Sequence, residues 1–285
     1  MRARPLLLIA AVAILTASAT GFQAKGDGAP DTASQPHAIT PQDMPRAAFD
    51  GLSARIEQAT QGAAASGATI SVAILDRANH RLLSNGNDQL VAIASVAKLF
   101  IADDLLSQGS LSTADRQALD TMLRSSDDAA AETFWAQRGE AIITDVSSRY
   151  GLTSTAPPSD GRWWNTMSSA SDLIHYYDML LDGSGGLSGE RAQIIVDDLA
   201  RYTATGADGY PQRFGIPDGL YAEPVAVKQG WMCCIGESWM HLSTGVIGSD
   251  RRYVMVIESL QPSDDATARA TITQAVKTMF PSGRI

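Results

Sequence analysis

Residues 95–109 read Ser-Val-Ala-Lys-Leu-Phe-Ile-Ala-Asp-Asp-Leu-Leu-Ser-Gln-Gly. Val96, Leu99, Phe100, Ala102 and Leu106 recur at helical spacing, so a helix is predicted to open at Ser95 and to stop at Gly109. At a spacing of three, Ser95 and Lys98 project from the same side of its first turn. A serine there has free backbone N–H groups and the positive end of the helix dipole beside it, which favours a developing oxyanion. A partly desolvated lysine next to it holds its proton less tightly and can accept the serine proton. Alone, Ser-x-x-Lys is a weak signal. Lysine usage sharpens it, because the chain has four lysines (Lys25, Lys98, Lys228, Lys277) against 18 arginines. Arginine does not deprotonate in proteins and lysine can. The competing explanation is base composition with scattered lysines.

Outward from this segment, Phe49, Leu52 and Ile56 mark one face of a helix over 44–62. Thr69-Ile-Ser-Val-Ala-Ile-Leu75 is a β-branched run, and Arg81-Leu-Leu-Ser84 returns from an Asp-Arg-Ala-Asn-His turn, which predicts a hairpin. Between about 110 and 200 the pattern is helical, with helices over 112–122, 128–138, 141–150, 171–182 and 190–199 and an irregular loop at 152–164. Three β-like runs follow, at 225–231, 240–247 and 252–258, then a helix over 266–280. The simplest arrangement is an α/β fold: an antiparallel sheet flanked by N- and C-terminal helices, with an all-helical subdomain inserted. Its α/β part covers 44–94 and 215–285, and its helical part 95–214.

The N-terminus reads differently. Met1 to Arg4 is basic, Pro5 to Ala17 is apolar, and small residues offer cleavage after Ala19 or Ala24. This is the pattern of a signal peptide over 1–24, too short for a comfortable membrane span. An uncleaved anchor is the alternative. Residues 25–43 are rich in Gly, Pro, Ala, Asp and Ser, and read as a flexible linker. With no cysteine near this segment, the expectation is an exported or cell-envelope protein that is not a lipoprotein. The two cysteines, Cys233 and Cys234, are adjacent and are expected as plain buried thiols, because a ring between neighbours is strained. Net charge is −9, which gives no electrostatic footprint for nucleic acid.

Two further stretches could carry chemistry. Ser125-Ser-Asp-Asp128 precedes an alanine-rich helix, where a hydroxyl could relay a proton or simply cap the helix. Lys228-Gln-Gly230 lies on a predicted strand. Its glycine would let substrate approach the strand edge, and its lysine offers charge to a carboxylate. An edge-strand lysine beside a bulge glycine is the plainer reading.

In order, the three motifs resemble the Ser-x-x-Lys, Ser-Asp-Asn and Lys-Thr-Gly set of class A β-lactamases and penicillin-binding proteins. The resemblance extends over about residues 44 to 285 and implies the same sheet with an inserted helical domain. It implies that Ser95 forms an acyl-enzyme, Lys98 is the base, Ser126 passes the proton to the leaving nitrogen, and Lys228 supports that relay. It also implies that Asp128, Gln229, Gly230 and Trp231 touch substrate. The backbone N–H groups of Ser95 and Trp231 would form an oxyanion hole, each donor contributing about 3 kcal/mol. His241 could face the cleft as a carboxylate partner or sit as a solvated strand residue, and Trp163 and Trp164 could line it.

The sequence also departs from that pattern. Asp128 replaces an amide donor with an acceptor-only carboxylate, and Gln229 replaces a small hydroxyl. The family's Glu-x-x-Leu-Asn segment has its counterpart in Thr155-Ala-Pro-Pro-Ser-Asp-Gly-Arg-Trp-Trp-Asn165, where Asp160 is the sole carboxylate. The 31-residue interval from Ser95 to Ser126 is about half the usual one, which would open the cleft. Three functions stay open: a penicillin-recognising serine hydrolase, β-lactamase-like or D-alanyl-peptide carboxypeptidase-like; an inactive binding protein of the cell envelope; and a serine esterase using the same pair. No metal or organic cofactor is implied. The expected partner is a small-molecule or peptidoglycan-peptide substrate and not nucleic acid, with membrane contact only through an uncleaved anchor, and the chain is expected to be a monomer.

Overall fold

The first helix, α1 (Leu52–Ala65), and the last, α9 (Asp265–Met279), lie together on one face of a five-stranded antiparallel sheet. The computed structural model describes Phe49 and residues 51–285. The expected signal peptide, linker and start of the first helix lie outside the described residues, whereas Phe49, Leu52 and Ile56 are all buried. The strands are β1 (Thr69–Asp76), β2 (Arg81–Ser84), β5 (Val225–Ile235), β6 (Ser238–Ile247) and β7 (Tyr253–Gln261), in spatial order β2-β1-β7-β6-β5. β1 pairs with β7 along its whole length, from Thr69↔Leu260 to Asp76↔Tyr253. Seven of its eight residues are buried, as its near-continuous apolar run requires of a strand covered on both faces.

The cover on the second face is the helical block. It comprises α2 (Lys98–Ser107), α3 (Thr113–Arg124), α4 (Asp128–Arg138), α5 (Ala141–Tyr150), α6 (Ala170–Asp182) and α7 (Gly189–Ala200). A two-residue ribbon, β3 (Val91–Ala92) with β4 (Met167–Ser168), sits where the chain enters the block, and the one-turn helix α8 (Ile216–Gly219) precedes β5. Odd and even positions of the sheet feed two separate cores. Val72, Met255 and Ile257 pack with Leu52, Ile272 and Val276, while Leu242, Val254 and Val256 pack with Val96, Phe100 and Tyr176.

Five helix starts are set by side-chain caps. Ser112, Asp127, Ser169, Ser188 and Asp264 accept the backbone N–H of Asp115, Ala130, Asp172, Arg191 and Thr267. Each contributes about 1 kcal/mol. α2 is anchored through its carboxylates, since buried Asp103 accepts from Arg149, Tyr150 and Tyr176, and Asp104 accepts from Arg138.

Two expectations change here. Ser95 does not open the α-helix; it lies in a 3-10 turn, Ala94–Ala97, and α2 begins at Lys98. Ala94 has φ +47°, and Val96 N–H bonds to Ile93 O, so the chain turns tightly before the helix can start. Cys233 and Cys234 are not buried thiols. They are exposed and joined to each other by a disulfide, on the part of the β5–β6 hairpin where the register shifts between Met232 and Ile235. Among the described residues no helix is long and apolar enough to cross a membrane.

Candidate active site

The tight turn carrying Ser95 packs against the edge strand β5, and a glycine makes that approach possible. A Cβ on Gly230 would lie 2.6 Å from Ile93 O and 3.3 Å from a methyl of Val96. Ser95 is thereby held at the seam between sheet and helical block, 8% exposed.

Lys98 reaches back from the first residue of α2. Its Nζ lies 2.9 Å from Ser95 Oγ, 2.6 Å from Ser126 O and 3.2 Å from Ser126 Oγ. Lys228 enters from the opposite side, on β5, with its Nζ 2.8 Å from Ser126 Oγ. Both lysines are fully buried. Burial lowers the Lys98 pKa, while Asp128, whose Oδ1 is 2.5 Å from Nζ, opposes the shift. Burial together with the Lys98 charge pushes Lys228 well below the ordinary lysine value. Two ammonium groups converging on one hydroxyl repel each other, so the arrangement favours one proton fewer on the pair.

Ser126 sits in the left-handed region at φ +58°, a conformation that costs a serine about 1 kcal/mol or more. It is held there from both sides. Lys98 donates to its carbonyl, Asp127 caps α4 through Ala130 N–H at 2.8 Å, and the Ser125 carbonyl accepts from Ala207 N–H at 2.7 Å.

Above Ser95 opens a cleft of about 250 Å³, bounded by Trp163, Trp164, Trp231, Met232 and the carboxylates of Asp128 and Asp208. The Trp163 ring centroid is 4.8 Å from Lys98 Nζ, a cation–π contact. Trp231 stacks on Tyr210 at 4.5 Å.

Ser95, Lys98, Ser126 and Lys228 are therefore together, with Asp128, Gly230 and Trp231 around them. Gln229 and His241 are not. Gln229 alternates to the other face of β5, where its Nε2 donates to the carbonyls of Gln212 and Phe214. His241 is neither solvated nor in the cleft. It is fully buried beneath α9, its Nε2 2.7 Å from Tyr210 Oη and 3.2 Å from Asp265 Oδ1. Burial lowers its pKa to about 4. Asp160 accepts from Asn165 Nδ2 and Arg162 N–H and does not line the cleft. Asp208 and Met232 were not legible in the sequence. Gly206-Ala-Asp-Gly209 marks a turn, but long-range bonds from Thr203, Ala207 and Gln212 to the carbonyls of Arg124 and Ser125 bring it to the site. Among the described residues no group of three His, Cys, Asp or Glu side chains could hold a metal ion.

No family model matches the chain. Proteins of Mycobacterium tuberculosis and Mycobacterium bovis named "Putative lipoprotein LppW" are 63% identical to it over 314 aligned residues, covering 100% of both chains. The chain belongs to the LppW family. That name corrects one expectation: the exclusion of a lipoprotein rested solely on where the cysteines stand, the relatives' name conflicts with it, and it is withdrawn. Among solved structures, a β-lactamase from Chitinophaga pinensis superposes with a TM-score of 0.64 at 13% identity, covering 81% of this chain and 100% of that one. A class A β-lactamase from Mycobacterium abscessus gives 0.63 at 17%, covering 80% and 98%. This LppW-family chain thus has the serine β-lactamase and penicillin-binding-protein fold, as a divergent member.

Proposed function

We propose that this chain is a serine acyl hydrolase that forms an acyl-enzyme at Ser95. The observation that carries the reading is the unbroken buried chain from Ser95 through Lys98 and Ser126 to Lys228, with every link at 3.2 Å or less. In this mechanism neutral Lys98 takes the Ser95 proton as Oγ attacks the acyl carbon. The tetrahedral oxyanion then collapses and expels the leaving group. The proton passes from Lys98 to Ser126 Oγ, and Ser126 gives its own to the departing nitrogen or oxygen, so atoms and charge balance. Lys228 holds the Ser126 hydroxyl in line. Backbone N–H groups at Ser95 and Trp231 would bind the oxyanion.

Hydrolysis of the acyl-enzyme is expected to be slow. The Trp163 ring packs against the Lys98 ammonium, and Asp160 is engaged with Asn165. No carboxylate other than Asp128 and Asp208 borders the cleft among the described residues, and Asp128 is paired with Lys98.

The ester-hydrolase version of this reading is favoured over the penicillin version by one observation. Gln229 is turned away, so β5 presents no side-chain hydroxyl or amide to a substrate carboxylate. The test is a parallel incubation of wild type and Ser95→Ala with a fluorescent penicillin and with p-nitrophenyl acetate. Label or nitrophenol release that Ser95→Ala abolishes supports acylation. Folded wild-type protein inert to both would leave the inactive binding protein as the reading.

A further inference from the structure

The cleft over Ser95 carries charge of an unexpected sign. Its borders are three indoles, one thioether and two carboxylates, Asp128 and Asp208. The two lysines of the site are 0% and 1% exposed, and their ammonium groups are taken up by Ser95, Ser126 and Asp128. Neither is presented to a ligand. Arg162 lies over the Trp164 ring at 5.8 Å and 3.9 Å from Asp160, but it does not line the cleft. Asp208 is exposed, and among the described residues it pairs with no cation; one of its oxygens accepts the Tyr210 N–H. Carboxylates at the lip of an aromatic box are complementary to a positive group, which gains both Coulomb attraction and contact with the indole faces. A carboxylate entering the same space would meet the unpaired Asp208 charge and, among the described residues, no cationic side chain lining the cleft.

We infer that the cleft selects ligands bearing a cationic group, an alkylammonium or quaternary ammonium, next to the acyl group that Ser95 attacks. As a statement about substrate this rests on the acyl-enzyme reading; as a statement about binding it does not. Asp208 is then a specificity-determining residue, with Trp164 and Trp231 as the flanking faces. Trp231 is preset for this, because its ring is backed by Tyr210, which His241 and Asp265 hold by its hydroxyl.

The test titrates full-length protein with benzyltrimethylammonium and, separately, with phenylacetate, following tryptophan fluorescence. The ammonium is expected to bind at least about tenfold more tightly, which corresponds to ~1.4 kcal/mol. In Asp208→Asn, an exposed position whose change is compatible with folding, that ratio is expected to shrink severalfold, and high salt should shrink it too. Phenylacetate binding as tightly as the ammonium, no binding of the ammonium, or a ratio untouched in Asp208→Asn would overturn the inference. The probes carry no acyl group at risk, so the titration is independent of Ser95 chemistry. A protein that prefers the ammonium yet forms no acyl adduct with p-nitrophenyl acetate, a fluorescent penicillin or acetylthiocholine upholds the inference and defeats the acyl-enzyme reading.

Discussion

Lys98 is pulled two ways, and the role of base proposed for it depends on the balance. Burial drives its pKa down and Asp128 holds the proton on. A base must be neutral to act, so acylation is expected to rise with pH through the Lys98 titration. Asp128→Asn removes the carboxylate that stabilises the ammonium, and the rising limb of kcat/KM against pH should therefore move to lower pH. A limb that stays in place, or moves up, would show that Asp128 does not set the Lys98 charge. Lys98→Ala should cost about 10²–10⁴-fold in acylation, the usual contribution of a positioned base. At this scale the meeting of Ser95, Lys98, Ser126 and Lys228 was legible from the order and spacing of their motifs. Gln229 was not. Alternation says that it opposes Lys228 and Gly230, but which set faces the cleft follows from Gly230 meeting Ile93, a contact between distant parts of the chain.

The strand β5 joins two functions, since it delivers Lys228 and receives the Ser95 turn. Gly230→Ala puts a methyl into the Ile93 carbonyl, and overpacking of that kind is expected to cost about 1–3 kcal/mol and most of the acylation rate. Denaturant melts and p-nitrophenyl acetate kinetics check both. On β6 and β7 two buried titratable groups give opposite pH signatures. His241 has its pKa lowered to about 4 from 6.5, so the unfolded chain binds more protons in that window, and His241 adds stability as pH rises through it. Glu258, hydrogen-bonded to Gln89, has its pKa raised by burial to about 7 from 4.5, so the folded chain binds more protons and stability falls as pH rises. Each shift is worth about 3 kcal/mol at full extent. The slopes oppose between about pH 4.5 and 6.5. Glu258→Gln should make the unfolding free energy rise more steeply with pH across that range than in wild type, and His241→Gln less steeply. Equal slopes in all three would refute the assignment. Element identities were readable from periodicity and caps, as α4 (Asp128–Arg138) and α5 (Ala141–Tyr150) show. The delayed start of α2 was not, because it follows from Ala94 at positive φ beneath the β5 edge.

At the scale of the molecule, a sheet with helices on both faces places the candidate active site at the seam between sheet and helical block. The run of elements along the chain made that architecture readable. The content of the cleft was harder to read, because its walls come from separate segments near residues 128, 163, 208 and 231, which only tertiary packing assembles. Of the carboxylates bordering the cleft among the described residues, Asp128 is held by Lys98 and Asp208 stands exposed at the lip, so turnover should show a burst of one leaving group per chain followed by a slow steady state. The direct test of acylation is intact-mass analysis with peptide mapping after mixing wild type and Ser95→Ala with p-nitrophenyl acetate over minutes to hours. The expected result is one acetyl group on Ser95 that persists through the time course and is absent from the variant. Folded wild-type protein that stays unmodified, or that carries the acetyl on another residue, would contradict the account.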